Sequence, residues 1–140
     1  MAEILIVDDD EVIRDTLYEL LSENHVCQTA ETAEKAIARL GSQTFDLVLT
    51  DISMPGLSGR ELLGQVLQHY PLTPVVIISG ITDQDHAQGL IKLGAFDYLL
   101  KPFRLEVVEK SVKRALDYRE NLLAGKTNPS TDRQTDWKII

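Results

Sequence analysis

The chain has 140 residues, and 22 acidic against 14 basic side chains leave it a formal net charge of -8. That balance argues against general binding of phosphate backbones or anionic bilayers, so neither nucleic acid nor membrane is expected as a direct partner. Cys27 is the one cysteine, which excludes a disulfide framework. No apolar run approaches the roughly 20 residues of a membrane-spanning helix, and a cytoplasmic location is expected.

Ile4 to Val7 is continuously apolar and runs into Asp8-Asp9-Asp10, the pattern of a strand buried on both faces with an acidic end. From Glu11 to Glu23, Ile13, Leu17, Leu20 and Leu21 recur at helical spacing, with Asp10 placed to cap the first turn. Val26 to Ala30 predicts a second strand. Ala33, Ala36, Ile37 and Leu40 predict a second helix, with Gly41 as its stop. Phe45 to Thr50 predicts a third strand ending in Asp51, followed by a loop punctuated by Pro55, Gly56 and Gly59. Ser58 and Glu61 suit a capping box for a helix presenting Leu63, Val66, Leu67 and Tyr70. Pro71 and Pro74 end that helix before the strand Val75 to Ser79. A fourth helix is expected from about Asp83 to Leu93, then a strand Tyr98 to Leu100. A last helix runs from about Arg104 past Leu116, with Val108, Val112 and Ala115 inward.

Alternating strands and helices predict an α/β domain over residues 1–122, a parallel sheet covered on both faces and joined by right-handed crossovers. Residues 123–140 are expected to be a polar, linker-like or disordered tail, on which Trp137, Ile139 and Ile140 stand out as apolar. No output domain follows residue 124 in this sequence, so the response is expected to pass through protein contacts or through a portion outside this chain.

Asp8, Asp9, Asp51, Ser79 and Lys101 each fall at or just past the C-terminal end of a predicted strand. One parallel sheet would bring them to the edge where open α/β sheets place their ligands. Two ionised carboxylates about 4 Å apart repel by roughly 4 kcal/mol at an effective dielectric near 20, so three together need a cation. Hard oxygen donors without clustered Cys or His favour Mg²⁺. His25, His69 and His86 lie on different elements and read as surface residues rather than ligands. Asp51, alone at the end of the central strand, is the candidate nucleophile toward phosphorus, with the metal and a lysine neutralising the transferred group. Asp10 reads as a helix cap. Lys110, Lys113, Arg114 and Arg119 read as a solvated face partnered by Glu106 and Glu109.

These residues resemble the receiver domain of two-component response regulators over about residues 1–120. The resemblance lies in Ile-Val-Asp8-Asp9, Leu-Thr-Asp51-Ile-Ser-Met-Pro-Gly, Ile-Ser79-Gly and Gly-Ala-Phe-Asp-Tyr98-Leu-Leu-Lys101-Pro102-Phe, in that order. It implies a flavodoxin-like doubly wound five-stranded sheet of order 2-1-3-4-5, with Asp51 accepting phosphate from a phosphohistidine on a sensor histidine kinase or phosphotransfer protein. Mg²⁺ would be held by Asp9, Asp51 and the backbone carbonyl of Ser53, with Asp8 assisting through water. Ser79 would hydrogen-bond the phosphoryl group, Lys101 would pair with it, and Lys101-Pro102 would be a cis peptide. Phosphorylation would draw the Ser79 hydroxyl inward and let Tyr98 turn into the vacated space. That change would re-face the fourth helix, fifth strand and fifth helix toward a downstream protein target or a second copy of the chain. The expected role is a signalling switch rather than a turnover enzyme.

Three rival readings are weighed against it. An aspartate-nucleophile phosphatase needs a second acid two residues on, where Ser53 stands. A flavin module needs neutral donors after the first strand, where Asp8-Asp9-Asp10 would repel a phosphate lacking a metal. A receiver-like module acting by protein contact without phosphorylation leaves the intact pocket unexplained.

Overall fold

The computed structural model describes residues 1–81 and 84–126. In chain order the elements are β1 (Glu3–Val7), α1 (Glu11–Ser22), β2 (Val26–Ala30), α2 (Ala33–Ser42), β3 (Leu47–Asp51), α3 (Gly59–His69), β4 (Val75–Ser79), α4 (Gln84–Leu93), β5 (Asp97–Leu100) and α5 (Leu105–Leu123). The strands form one parallel sheet in the order β2-β1-β3-β4-β5, as the resemblance implied. Among the described residues no helix is long and apolar enough to cross a membrane.

Alternation along the strands divides the core into two layers. Leu5, Val7, Val48 and Ile77 meet Ala33, Ala36, Leu40, Leu62, Leu63, Val66, Leu90 and Ile91 of α2, α3 and α4 on one face. Ile4, Ile6, Leu47, Leu49, Val76 and Ile78 meet Leu17 and Leu21 of α1 and Val108, Val112 and Ala115 of α5 on the other. Continuous apolar runs were thus the mark of strands buried on both faces, each large side chain contributing about 1.5–3 kcal/mol by leaving water. Cys27 is buried in the second layer, and burial pushes its thiol pKa up, as suits an inert packing residue.

Local capping follows the chemistry of the turns. Asp10 accepts from the backbone N–H of Val12 and Ile13 at 2.9 and 3.4 Å, and Ser58 and Glu61 close a capping box at the start of α3. The fold corrects the sequence reading in several places. Gly41 lies inside α2, which continues to Ser42, because a helix tolerates one glycine at a cost of about 1 kcal/mol. β3 begins at Leu47 rather than Phe45. Phe45 is buried in the core, and Asp46 instead turns the chain, its carboxylate accepting the Glu3 N–H at 2.7 Å. Asp83, the expected start of the fourth helix, lies outside the described residues, as does most of the tail.

Strand register sets the level of the functional edge. Val7 pairs with Thr50, so Asp8 and Asp51 follow residues that stand side by side on neighbouring strands. Ser79 pairs with Leu100, and the Lys101 N–H donates to the Ser79 carbonyl at 2.8 Å, which places Lys101 at the same edge.

Candidate functional site

Each predicted pocket residue is delivered by the end of a strand. Asp8 and Asp51 are buried, Asp9 is exposed, and one oxygen from each lies within 4.8 Å of the others. The Lys101 Nζ reaches between the buried pair, 3.1 Å from Asp8 Oδ2 and 3.3 Å from Asp51 Oδ2. One ammonium against three carboxylates leaves two formal negative charges uncompensated.

Burial first, and that imbalance second, set how these groups titrate. Burial, and then the neighbouring Asp8 charge, push the Asp51 carboxyl above its ordinary range, against the opposing pull of Lys101 and of the Ser53 N–H. Burial acts most strongly on Lys101 and by itself would favour the neutral amine. The hydrogen bonds and charges of Asp8 and Asp51 together outweigh it, so its pKa ends up raised and the ammonium is retained.

Main-chain contacts hold the acids in place. Asp8 Oδ1 accepts the Asp10 N–H at 2.9 Å, and Arg14 Nη1 donates to the Asp8 carbonyl at 2.8 Å. Asp51 Oδ1 accepts the Ser53 N–H at 3.3 Å. After β3 the chain folds back so tightly that a Cβ on Gly59 would lie 2.1 Å from the Asp51 carbonyl oxygen and 2.7 Å from Ile52 Cα. Only glycine allows that approach, which the Gly59 N–H seals by donating to the Ile52 carbonyl at 3.0 Å. Glu34 on α2 steadies the same loop, accepting the Leu57 N–H at 3.3 Å. Gly59 entered the sequence reading only as loop punctuation, while Arg14 and Glu34 did not enter it at all.

Ser79 and Tyr98 meet at the main chain of one residue. The Ser79 hydroxyl accepts the Ile81 N–H at 3.1 Å, while the Tyr98 hydroxyl donates to the Ile81 carbonyl at 2.8 Å. Tyr98 is buried, its ring already turned inward. The Lys101-Pro102 peptide is cis.

Other assignments are corrected. His86 is no plain surface residue: it is half-buried and packs edge-to-face on Tyr98. The expected Glu106 and Glu109 partners are replaced by aspartates, Asp97 and Asp46 from outside α5 and Asp117 one turn along it. Arg114 pairs with Asp97 at 2.6 Å, Arg119 with Asp46 at 2.9 Å and Lys113 with Asp117 at 3.4 Å. A groove of about 550 Å³ between α1 and α5, lined among others by Leu20, Leu116 and Arg119, contains none of the pocket residues.

Comparison with known proteins agrees with this fold. The sequence matches the response regulator receiver domain family over residues 4–113. It is 40% identical over 116 residues to the DNA-binding transcriptional regulator NtrC of Salmonella typhimurium, a match covering 82% of this chain and 25% of that protein. The chain therefore spans about a quarter of the length of the curated relatives it matches. A CheY-like response regulator receiver domain protein from Methanospirillum hungatei has a TM-score of 0.82 at 29% identity, over 87% of this chain and 98% of that one. The response regulator protein TrrA of Thermotoga maritima, solved in complex with Mg²⁺ and BeF, has a TM-score of 0.75 at 32% identity, over 83% and 100% of the two chains. The chain belongs to the response regulator receiver domain family, the signalling domains of two-component systems.

Proposed function

We propose that the chain is a phosphorylation-operated switch that takes a phosphoryl group onto Asp51 from the phosphohistidine of a sensor kinase or phosphotransfer protein. The observation that carries this reading is the crowding of Asp8, Asp9 and Asp51 around a single ammonium, Lys101. Three hard carboxylates without sulfur or imidazole suit Mg²⁺, which, held by Asp8, Asp9, Asp51 and the Ser53 carbonyl, would offset the charge on the phosphoryl oxygens.

An Asp51 carboxylate oxygen attacks phosphorus, the P–N bond to the donor imidazole breaks, and its electron pair stays on the ring nitrogen. Lys101 pairs with the phosphoryl oxygens and the Ser79 hydroxyl donates to one of them. Rotation of Ser79 toward that group releases the Ile81 N–H, and Ile81 also holds the Tyr98 hydroxyl. The signal thus travels from Asp51 to Tyr98 through the backbone of one residue, as a shift between two populations. The face it alters, α4, β5 and α5, is where a downstream protein, a following domain or a second copy of the chain would bind. Residues 1–122 form the switch and 123–140 its tail or linker, acting in the cytoplasm without direct contact to nucleic acid. Sustained phosphatase turnover is disfavoured because Ser53 stands where the second acid of such enzymes is needed.

Acid-labile phosphate incorporated from acetyl phosphate with Mg²⁺ tests the reading. Labelling of the wild type and none of Asp51→Asn is expected. Equal labelling of both removes Asp51 from the role, and an unlabelled wild type favours contact without phosphorylation.

A further inference from the structure

One contact on Tyr98 comes from ahead of α4 and another from within it. The Tyr98 hydroxyl is tied to the Ile81 carbonyl ahead of the helix, and its ring meets the His86 imidazole inside the first turns, centroids 6.0 Å apart and planes at 82°. The neighbouring α4 residues Ala87, Leu90 and Ile91 are seated in the core, so His86 approaches Tyr98 from an anchored helix.

That approach has a cost. Among the described residues, His86 Nε2 is buried without a hydrogen-bond partner. A polar atom left unpaired in a protein interior opposes burial, and an imidazole free to move to solvent would satisfy it. Edge-to-face packing on Tyr98 supplies the opposing attraction. The two rings therefore hold each other in place, and the inward position of Tyr98 depends on where α4 sits.

We infer that His86 is a positioning residue for the switch: its ring latches Tyr98 inward and couples the start of α4 to β5. This rests on the reading of Tyr98 as part of the switch, but assigns His86 no part in the chemistry at Asp51. Losing an aromatic pair of this kind changes the inward-to-outward ratio by roughly 2- to 10-fold. A plain alanine leaves a gap as well as removing the ring, so two variants are needed. His86→Phe keeps an edge-to-face partner while removing the unpaired nitrogen.

The test uses the full chain labelled with 3-fluorotyrosine, the Tyr98 resonance being assigned by its loss in Tyr98→Phe. Fluorine spectra are taken for wild type, His86→Ala and His86→Phe, before and after acetyl phosphate with Mg²⁺, and acid-labile phosphate is measured in the same samples. His86→Ala should move the Tyr98 resonance toward its solvent-exposed position before the donor is added, while His86→Phe should restore it. A Tyr98 resonance indifferent to both substitutions, or displaced equally by both, overturns the latch. Phosphate incorporation decides the function separately: a wild type without label defeats the phosphorylation reading, while the ring positions before the donor is added still decide the role of His86.

Discussion

Two buried aspartates of this chain have nearly the same exposure and opposite surroundings. Asp97 on β5 is 4% exposed and Asp51 on β3 is 6% exposed. Around Asp97 every demand is met: Ser111 Oγ donates at 2.7 Å, Arg114 at 2.6 Å, and the Tyr98 N–H at 2.9 Å. Asp51 shares one lysine with Asp8, receives one long N–H bond from Ser53, and faces a third acid. Burial of a carboxylate is thus compatible with glue or with a poised site, and the count of compensating donors separates the two. The satisfied acid ties α5 to the sheet, while the unsatisfied cluster is left wanting a cation.

The contrast can be broken from either side. The largest change in stability is expected on the satisfied side, where Asp97→Ala strands the Ser111 hydroxyl and Arg114. A loss of about 2–4 kcal/mol is expected from urea unfolding, moderated because the Arg114 side chain is 48% exposed and can regain water. A stability equal to wild type would remove Asp97 as a tie. Next comes Gly59→Ala, whose methyl group has no room beside the Asp51 carbonyl. It should cost about 1–3 kcal/mol and slow labelling of Asp51, because the loop carrying Ser53 must shift. Unchanged labelling kinetics would show that the tight return is not what positions the acid.

The smallest effect has the opposite sign. Asp51→Asn should stabilise the metal-free fold by about 1 kcal/mol, by removing a buried charge and relieving its repulsion with Asp8. The pH dependence follows from the raised carboxyl pKa. Between the ordinary value of 3.8 and its folded value, Asp51 keeps a proton that the unfolded chain has released, so stability falls as pH rises through that window. The advantage of Asp51→Asn over wild type should therefore be full above the folded pKa and shrink as pH is lowered toward 3.8. An advantage that grew on acidification would reverse the assigned sign.

Much of this was legible because it was local. Apolar runs such as Ile4–Val7 and Val75–Ser79 ending in polar residues mark both the strands and the edge where Asp8 and Ser79 emerge. Caps at Asp10 and Ser58 follow from side-chain chemistry within three residues. What escaped depends on contacts between distant segments. Arg119 finds Asp46 across 73 positions, and Arg114 finds Asp97 across 17, so spacing within one helix pointed to the wrong partners. Gly59 looks like any turn glycine until the Asp51 carbonyl is placed against it. His86 gave no periodic signal as a packing residue, because its role depends on where α4 leans on β5.

The central claim is that the Asp8, Asp9 and Asp51 cluster carries more negative charge than Lys101 can balance and takes up a divalent ion. Calorimetric titration of the chain with magnesium chloride tests it most directly. Saturable uptake of a single ion at millimolar concentration or below, lost in Asp51→Asn, is the predicted result. A wild-type titration with no binding heat at millimolar magnesium, or one that Asp51→Asn leaves unchanged, would contradict it.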